Sequence, residues 1–307
     1  MQKNTRNVLS WLAGLGGLVV LLWYFRPADV LAAIRSVGIP GVLAWTVIMI
    51  IARVLHAETT AAPLRAMGYA MRLADAFWIG WIRTFAHQVF PTAGLVAYAH
   101  ALRVTTRASW SELAMLAAPQ YVLIVAALGL VGLLATACNL NLLQHAAAGF
   151  VFAFAAMIVA SLMITRGAPW LIGLLSKRMA DRLDQTSAAL REFIDRPGLV
   201  SRVITWHALA IVLRGSRIWV LFAAVAVNLD WREALLLIAV AEASILILVT
   251  PGGLGVREGA IVAGALLVGV APEVAATVAL VDRILTIGLT TLLTPPAIVI
   301  INAKKSA

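Results

Sequence analysis

Residues 251–259 read Pro251-Gly252-Gly253-Leu254-Gly255-Val256-Arg257-Glu258-Gly259, and they interrupt an apolar stretch that runs from Ala234 to about Ala271. A continuous membrane helix avoids a proline, four glycines and an adjacent Arg/Glu pair, because hydrocarbon satisfies neither a broken backbone nor an ionised side chain. The break therefore belongs inside protein, beside something polar.

The composition around it is that of a membrane protein. Hydrophobic residues make up 62% of the 307-residue chain and charged residues 12%, with a mean hydropathy of +0.96. The expected class is an all-α polytopic membrane protein, a single transmembrane domain over residues 1–307. It has room for about six to eight spans of roughly 20 residues and none for a separate soluble catalytic domain. The single Cys138 leaves no disulfide framework and no cysteine-based metal cluster. Trp11, Trp23, Trp110, Trp170 and Trp231 fall near expected helix ends, as in interfacial belts. The apolar segment 8–25 follows Lys3 and Arg6 as a signal peptide would, but without a small-residue cleavage site it reads as a retained helix.

Charge placement then selects a topology. Apolar runs predict spans at about 8–25, 38–55, 109–137, 145–165, 203–227 and 275–301. Two further runs, about 76–102 and 233–270, are broken by proline-containing sequence. If both crossed the bilayer, segment 166–202, with seven Lys/Arg, would lie outside an N-in protein, against the positive-inside tendency. If both are re-entrant hairpins the conflict disappears, and the N- and C-termini are both cytoplasmic. Of 24 basic residues, 15 are then inside, three are outside (Arg26, Arg35 and Arg232), and six fall within membrane segments. Those six are Arg53, Arg83, Arg214, Arg217, Arg257 and Arg283. Each costs about 2.5–3.5 kcal/mol or more at a helix centre, so they are expected to face a shared polar interior. The net charge of +10 is thus mostly topological, and nucleic-acid binding, which needs a basic soluble face, is not expected. Segment 166–202 patterns as a basic amphipathic helix, either lying on the inner leaflet or serving as a solvated linker.

The halves of the chain repeat an order of parts. Arg53 and His56 stand three apart on a helix, and Pro91, in Phe90-Pro91-Thr92-Ala93-Gly94-Leu95, follows 38 residues after Arg53. Arg214 and Arg217 also stand three apart, and Pro251 follows 37 residues after Arg214. The expected units are about 38–137 and 203–301, linked by helix 145–165 and segment 166–202. The derived topology gives them opposite orientations, an inverted repeat around a midplane site.

The candidate site follows from those parts. Pro91, Gly94 and Pro251 mark the hairpin tips. Gly252, Gly253 and Gly255 beside Arg257 are expected to form an anion-binding nest, since glycine adopts positive φ and lets backbone N–H groups approach a ligand. Arg53, His56, Arg214, Arg217 and Arg283 complete the candidate substrate-binding set, with Arg favoured for bidentate phosphate contacts. Glu58, Glu242, Glu258 and Asp282 are candidate gating or charge-pairing groups, with structural neutralisation of the arginines as the alternative role. Glu258 is placed either to stabilise a helix N-terminus or to pair with Arg283. His87 is read as hairpin packing or a proton relay. His56-Ala57-Glu58 and Thr59-Thr60 lack the partners of any catalytic motif, so no catalytic residue, metal or cofactor is expected.

The motif Pro251 to Glu258, followed 25 residues later by Arg283, resembles the C-terminal signature of the lysylphosphatidylglycerol synthase transmembrane region, a flippase-like family. Phe90-Pro91-Thr92-Ala93-Gly94 is similar to its earlier Pro-x-x-Gly motif, although Leu95 and Tyr98 stand where members usually carry Glu and a basic residue. The resemblance implies a lipid translocase of the bacterial inner membrane, handling a phospholipid or other polar lipid, without the aminoacyltransferase domain of the full synthases. Alternatives are a membrane-embedded enzyme acting on a lipid phosphate or prenyl carrier, and a non-transporting lipid-binding partner of a lipid-biosynthesis enzyme.

Overall fold

The computed structural model describes residues 27–89, 93–165, 196–246, 253 and 255–304. The expected helix 8–25, Pro91, Pro251, Gly252 and residues 166–195 of the basic segment lie outside the described residues. The described part is helical. It contains α1 (Pro27–Ala66), α2 (Leu73–Val89), α3 (Ala93–Thr106), α4 (Trp110–Cys138), α5 (Ala147–Thr165), α6 (Pro197–Ala224), α7 (Trp231–Ala243), α8 (Val256–Leu267) and α9 (Pro272–Ala303). Among the described residues, four stretches are long and apolar enough to cross a membrane: Ile34–Ala66, Gln120–Cys138, Pro197–Ala224 and Pro272–Ala303. Large apolar side chains such as Ile39, Phe152 and Leu292 are exposed on the outside, the surface that hydrocarbon rather than water covers. The chain is a multi-pass membrane protein.

Two boundaries differ instructively from the sequence expectation. The span expected to stop near residue 55 continues to Ala66. Residues 56–66 carry polar groups that lower hydropathy, yet Ala57, Thr59, Thr60, Ala61, Ala62 and Leu64 are buried by protein. Helix α1 is also kinked at Gly38, whose φ of 68° only glycine adopts without strain. Residues 197–202, assigned from sequence to the basic segment, already form the first turns of α6.

Helices α1 and α6 lie antiparallel. A Cβ on Gly41 would stand 2.9 Å from that of Ala224, Arg217 Nη1 donates to Met49 Sδ at 2.9 Å, the His56 and His207 rings are 6.1 Å apart, and Arg196 Nη1 donates to the Ala66 carbonyl at 2.7 Å. The residue numbers in these pairs rise along one helix as they fall along the other.

Each short pair turns back on itself. In the first, Gly94 packs on His87 and Arg83; in the second, Gly264 packs on Leu237 and Val240. At 17, 14, 13 and 12 residues, α2, α3, α7 and α8 reach about 18–26 Å at 1.5 Å per residue. That is short of the ~30 Å hydrocarbon thickness. The start of α2 and the end of α3 share one buried cluster with Leu64 and Ile301, whereas the start of α7 and the end of α8 share another with Leu143 and Val37. The two pairs therefore return to opposite ends of the molecule. Arg65, Arg196, Arg202 and Lys304 gather at the first end, tied by Arg65–Glu58, Arg202–Glu58 and Lys304–Asp75 contacts. Arg232 lies at the other, its carbonyl accepting from Asn139 at 2.8 Å.

Hydrocarbon offers no hydrophobic drive for helix association, so close packing over small residues supplies it. An added Cβ at Gly132 would meet the Phe154 ring at 2.2 Å, and one at Gly215 would meet Ile238 at 2.4 Å. These glycines let α4 approach α5 and α6 approach α7.

Candidate functional site

Along the long helices, α6, α7, α8 and α9 bring ionised side chains together, with Trp45 of α1 against them. Glu242, fully buried near the end of α7, accepts from Arg214 Nε at 2.6 Å through one oxygen and from Arg257 Nη2 at 3.0 Å through the other. Asp282 on α9 takes Trp45 Nε1 at 2.8 Å, Arg217 at 3.0 and 3.1 Å, and Arg257 Nε at 3.6 Å. Arg257 thus bridges the two buried carboxylates. Arg217 lies with its guanidinium 5.4 Å from the Trp45 ring centroid. Such pairs contribute little net stability against desolvation, but removing one partner leaves a buried charge without its counter-ion.

The second tip is built by glycine. Gly253 and Gly255 have φ of 70° and 81°, the left-handed region expected for a nest. The Gly255 N–H, however, donates to Glu258 Oε2 at 2.7 Å, and the other Glu258 oxygen stands 3.6 Å from Arg283 Nε. Both roles considered for Glu258, capping its own helix and pairing with Arg283, are therefore met at once. In this arrangement the Gly255 N–H and the Arg257 guanidinium are committed to carboxylates rather than open to an anion. Adjacent Asp282 and Arg283 engage the adjacent Arg257 and Glu258 of α8 in turn.

The first hairpin is different in kind. Arg53 donates to the Gly80 carbonyl at 3.3 Å and stacks 4.7 Å from the Trp81 ring centroid. Its guanidinium fits because Gly80 has no side chain: an added Cβ would sit 3.1 Å from Arg53 Cδ. Arg83 lies 5.0 Å from the Tyr98 ring centroid and 5.8 Å from that of Tyr121, donating to the Tyr121 hydroxyl at 3.3 Å. Tyr98 continues into a buried chain with Thr60 and Gln120. His56 feels the charges of Arg83, Arg53 and Arg214 and faces His207. Gly94 serves close helix approach, with His87 Cβ 2.7 Å from where its own Cβ would be.

Of the candidates, Arg214, Arg217, Glu242, Arg257, Glu258, Asp282 and Arg283 form one network. Arg53 and His56 belong to the neighbouring first-hairpin group. Glu58 stands apart, paired with Arg65 and Arg202 at the basic end. Sequence reading passed over Arg83 as a site residue, and His207, Trp45 and Trp81 altogether. Arg83 had the signal of an arginine in an apolar run, whereas the other three are unremarkable until the helices cross.

Comparison with curated proteins and with solved structures found no match. The family model for the lysylphosphatidylglycerol synthase transmembrane region matches residues 10–294, nearly the whole chain, including Arg53, Arg83, Arg214, Arg217, Arg257 and Arg283. The chain belongs to the lysylphosphatidylglycerol synthase transmembrane-region family.

Proposed function

We propose that this protein is a lipid translocase of the bacterial inner membrane rather than an enzyme, moving a phosphate-containing lipid between leaflets through an arginine-lined polar interior. The observation that carries the reading is the buried network of Arg214, Arg217 and Arg257 with Glu242 and Asp282, set midway along helices whose outer surface is apolar. Six arginines in such a place are too costly without a polar task, and the family is linked to phospholipid handling. The head group would enter this interior while the acyl chains stay in lipid.

In this reading α2/α3 and α7/α8 are re-entrant hairpins dipping from opposite faces, the full topology is six spans plus these two hairpins, and both termini are cytoplasmic. The inverted repeat is supported by the contacts. Exchanging α1 with α6, α2 with α7, α3 with α8 and α4 with α9 carries most of the helix contacts onto others that are also made, and α1·α6 onto itself. Arg53 and Arg214, corresponding positions of the two units, then lie close to the pseudo-axis where α1 crosses α6. That is where inverted-repeat transporters place substrate. Pro91, Gly94, Pro251, Gly252, Gly253 and Gly255 would be the moving tips, and Glu258 and Glu242 would exchange arginine partners as a tip opens. A lipid-biosynthesis enzyme is the class of partner that would supply the lipid.

The test is leaflet exchange of fluorescent phospholipids in proteoliposomes holding the wild type, Arg257→Ala or Glu258→Gln. Faster exchange than in empty liposomes for the wild type, and slower exchange for both variants, is expected. Equal rates in all four preparations would dismiss the proposal.

A further inference from the structure

We infer that the first hairpin holds a phosphate site, formed by Arg53 and Arg83, that admits a lipid with a net negative head group and discriminates against an aminoacylated one. The inference rests on the lipid-handling reading above and adds the charge class of the substrate.

Charge count comes first. In the second-hairpin network Arg214, Arg217, Arg257 and Arg283 face Glu242, Asp282 and Glu258, so the cations there are largely answered. Among the described residues no carboxylate comes within ion-pair distance of Arg53 or Arg83. The polar interior as a whole thus has six arginines against three carboxylates. An anionic ligand is the missing counter-charge.

Geometry points the same way. Both guanidiniums lie over aromatic rings, Arg53 over Trp81 and Arg83 over Tyr98 and Tyr121. A guanidinium has five N–H donors; one of Arg53 meets the Gly80 carbonyl and one of Arg83 the Tyr121 hydroxyl, which leaves donors on both for acceptors such as phosphate oxygens. Three buried polar atoms around them have no hydrogen-bond partner: Arg53 Nε, Trp81 Nε1 and His207 Nε2. Trp81 and His207 are 0% and 3% exposed, so bulk water does not satisfy them. Indole N–H and Arg53 Nε only donate, and they want an acceptor. Orphaned buried donors are disfavoured by about 1–3 kcal/mol each, and one phosphate would answer more than one of them.

The same features select among lipids. A lysyl ester adds two ammonium groups to a phosphodiester and makes the head group cationic. With no carboxylate beside Arg53 or Arg83 to receive an ammonium, and two guanidiniums to repel it, such a head group is disfavoured. Phosphatidylglycerol, or another lipid phosphate without an amine, carries the charge this hairpin lacks.

The experiment measures binding of four probes to the purified full chain in neutral detergent by calorimetry: dioctanoyl phosphatidylglycerol, the matching phosphatidylethanolamine, the matching lysylphosphatidylglycerol and inorganic phosphate. The expected result is phosphatidylglycerol binding about tenfold or more tighter than either amine-bearing lipid, an affinity about tenfold lower in Arg83→Gln, and partial recovery in Arg83→Lys, which keeps charge but not the planar fork. Lysylphosphatidylglycerol binding as tightly as phosphatidylglycerol overturns the inference, as does unchanged binding in folded Arg83→Gln. Inorganic phosphate binding as tightly as the lipid reassigns the site to a free anion and overturns it too. Should Arg83→Gln not fold, the order of the four probes on the wild type decides. Leaflet exchange separates the two readings. Selective binding without exchange dismisses translocation and leaves this site, whereas exchange that ignores both the amine and Arg83 does the reverse.

Discussion

Replacing Glu242 by Gln probes the part of the molecule where charge is most deeply buried. Glu242 uses its two oxygens separately, one for Arg214 and one for Arg257. Gln has the same volume but only one acceptor oxygen, so its NH2 group must face one of the two guanidiniums donor to donor. The side chain of Glu242 is 1% exposed and those of Arg214 and Arg257 are 24% and 18% exposed, so water screens little of the loss. Removing one partner of a buried ion pair costs about 3–5 kcal/mol. At roughly 2–4 °C per kcal/mol for chains near this size, the thermal midpoint in detergent should fall by on the order of 10 °C. Arg257→Gln should be milder, because Glu242 keeps Arg214 and Asp282 keeps Arg217. In the double variant the unanswered cation is gone, so the two losses should fall short of additive by about 0.5–3 kcal/mol. A midpoint within about 2 °C of wild type for Glu242→Gln, or strict additivity, would show that the network does not hold these helices together.

Two further outcomes follow from local geometry. Gly132→Ala drives a Cβ to within 2.2 Å of the Phe154 ring and should destabilise by about 1–3 kcal/mol through overpacking; adding Phe154→Leu should recover part of it, and an unshifted thermal midpoint for the single variant contradicts the packing described. At the start of α4, the Ser109 hydroxyl and N–H both donate to Glu112 at 2.7 Å, holding its carboxyl below the usual range. A lowered folded value means the capping stabilisation is present above the ordinary pKa of about 4.3 and is lost as pH falls through the folded value. An NMR titration of the Glu112 carboxyl should give a midpoint below that ordinary value that rises in Ser109→Ala; a midpoint at or above it would contradict the cap.

Much of this architecture could be read from sequence because hydrocarbon is a strict solvent. Apolar length, proline and glycine breaks and the side on which Lys and Arg collect are enforced residue by residue along the chain. That is why the helix starts near 109 and 275, the breaks in two apolar runs and the gathering of charge between helices were legible. The end of α1 was not, since Thr59 and Thr60 are buried by other helices rather than by lipid, and hydropathy does not distinguish the two. Nor was the pairing of the charges. Sequence alone determined that six arginines must share an interior, because none is tolerable facing lipid. Only the crossing of α1 and α6 and the packing of each short helix pair decided which arginines find a carboxylate, giving Arg257 two and Arg53 an indole ring, because ion pairing depends on distances of a few ångströms between residues far apart in the chain. The Pro251–Gly259 break therefore marks the helix pair whose charges are largely answered, while the cationic surplus lies at its counterpart, where Arg53 and Arg83 meet aromatic rings and no carboxylate among the described residues.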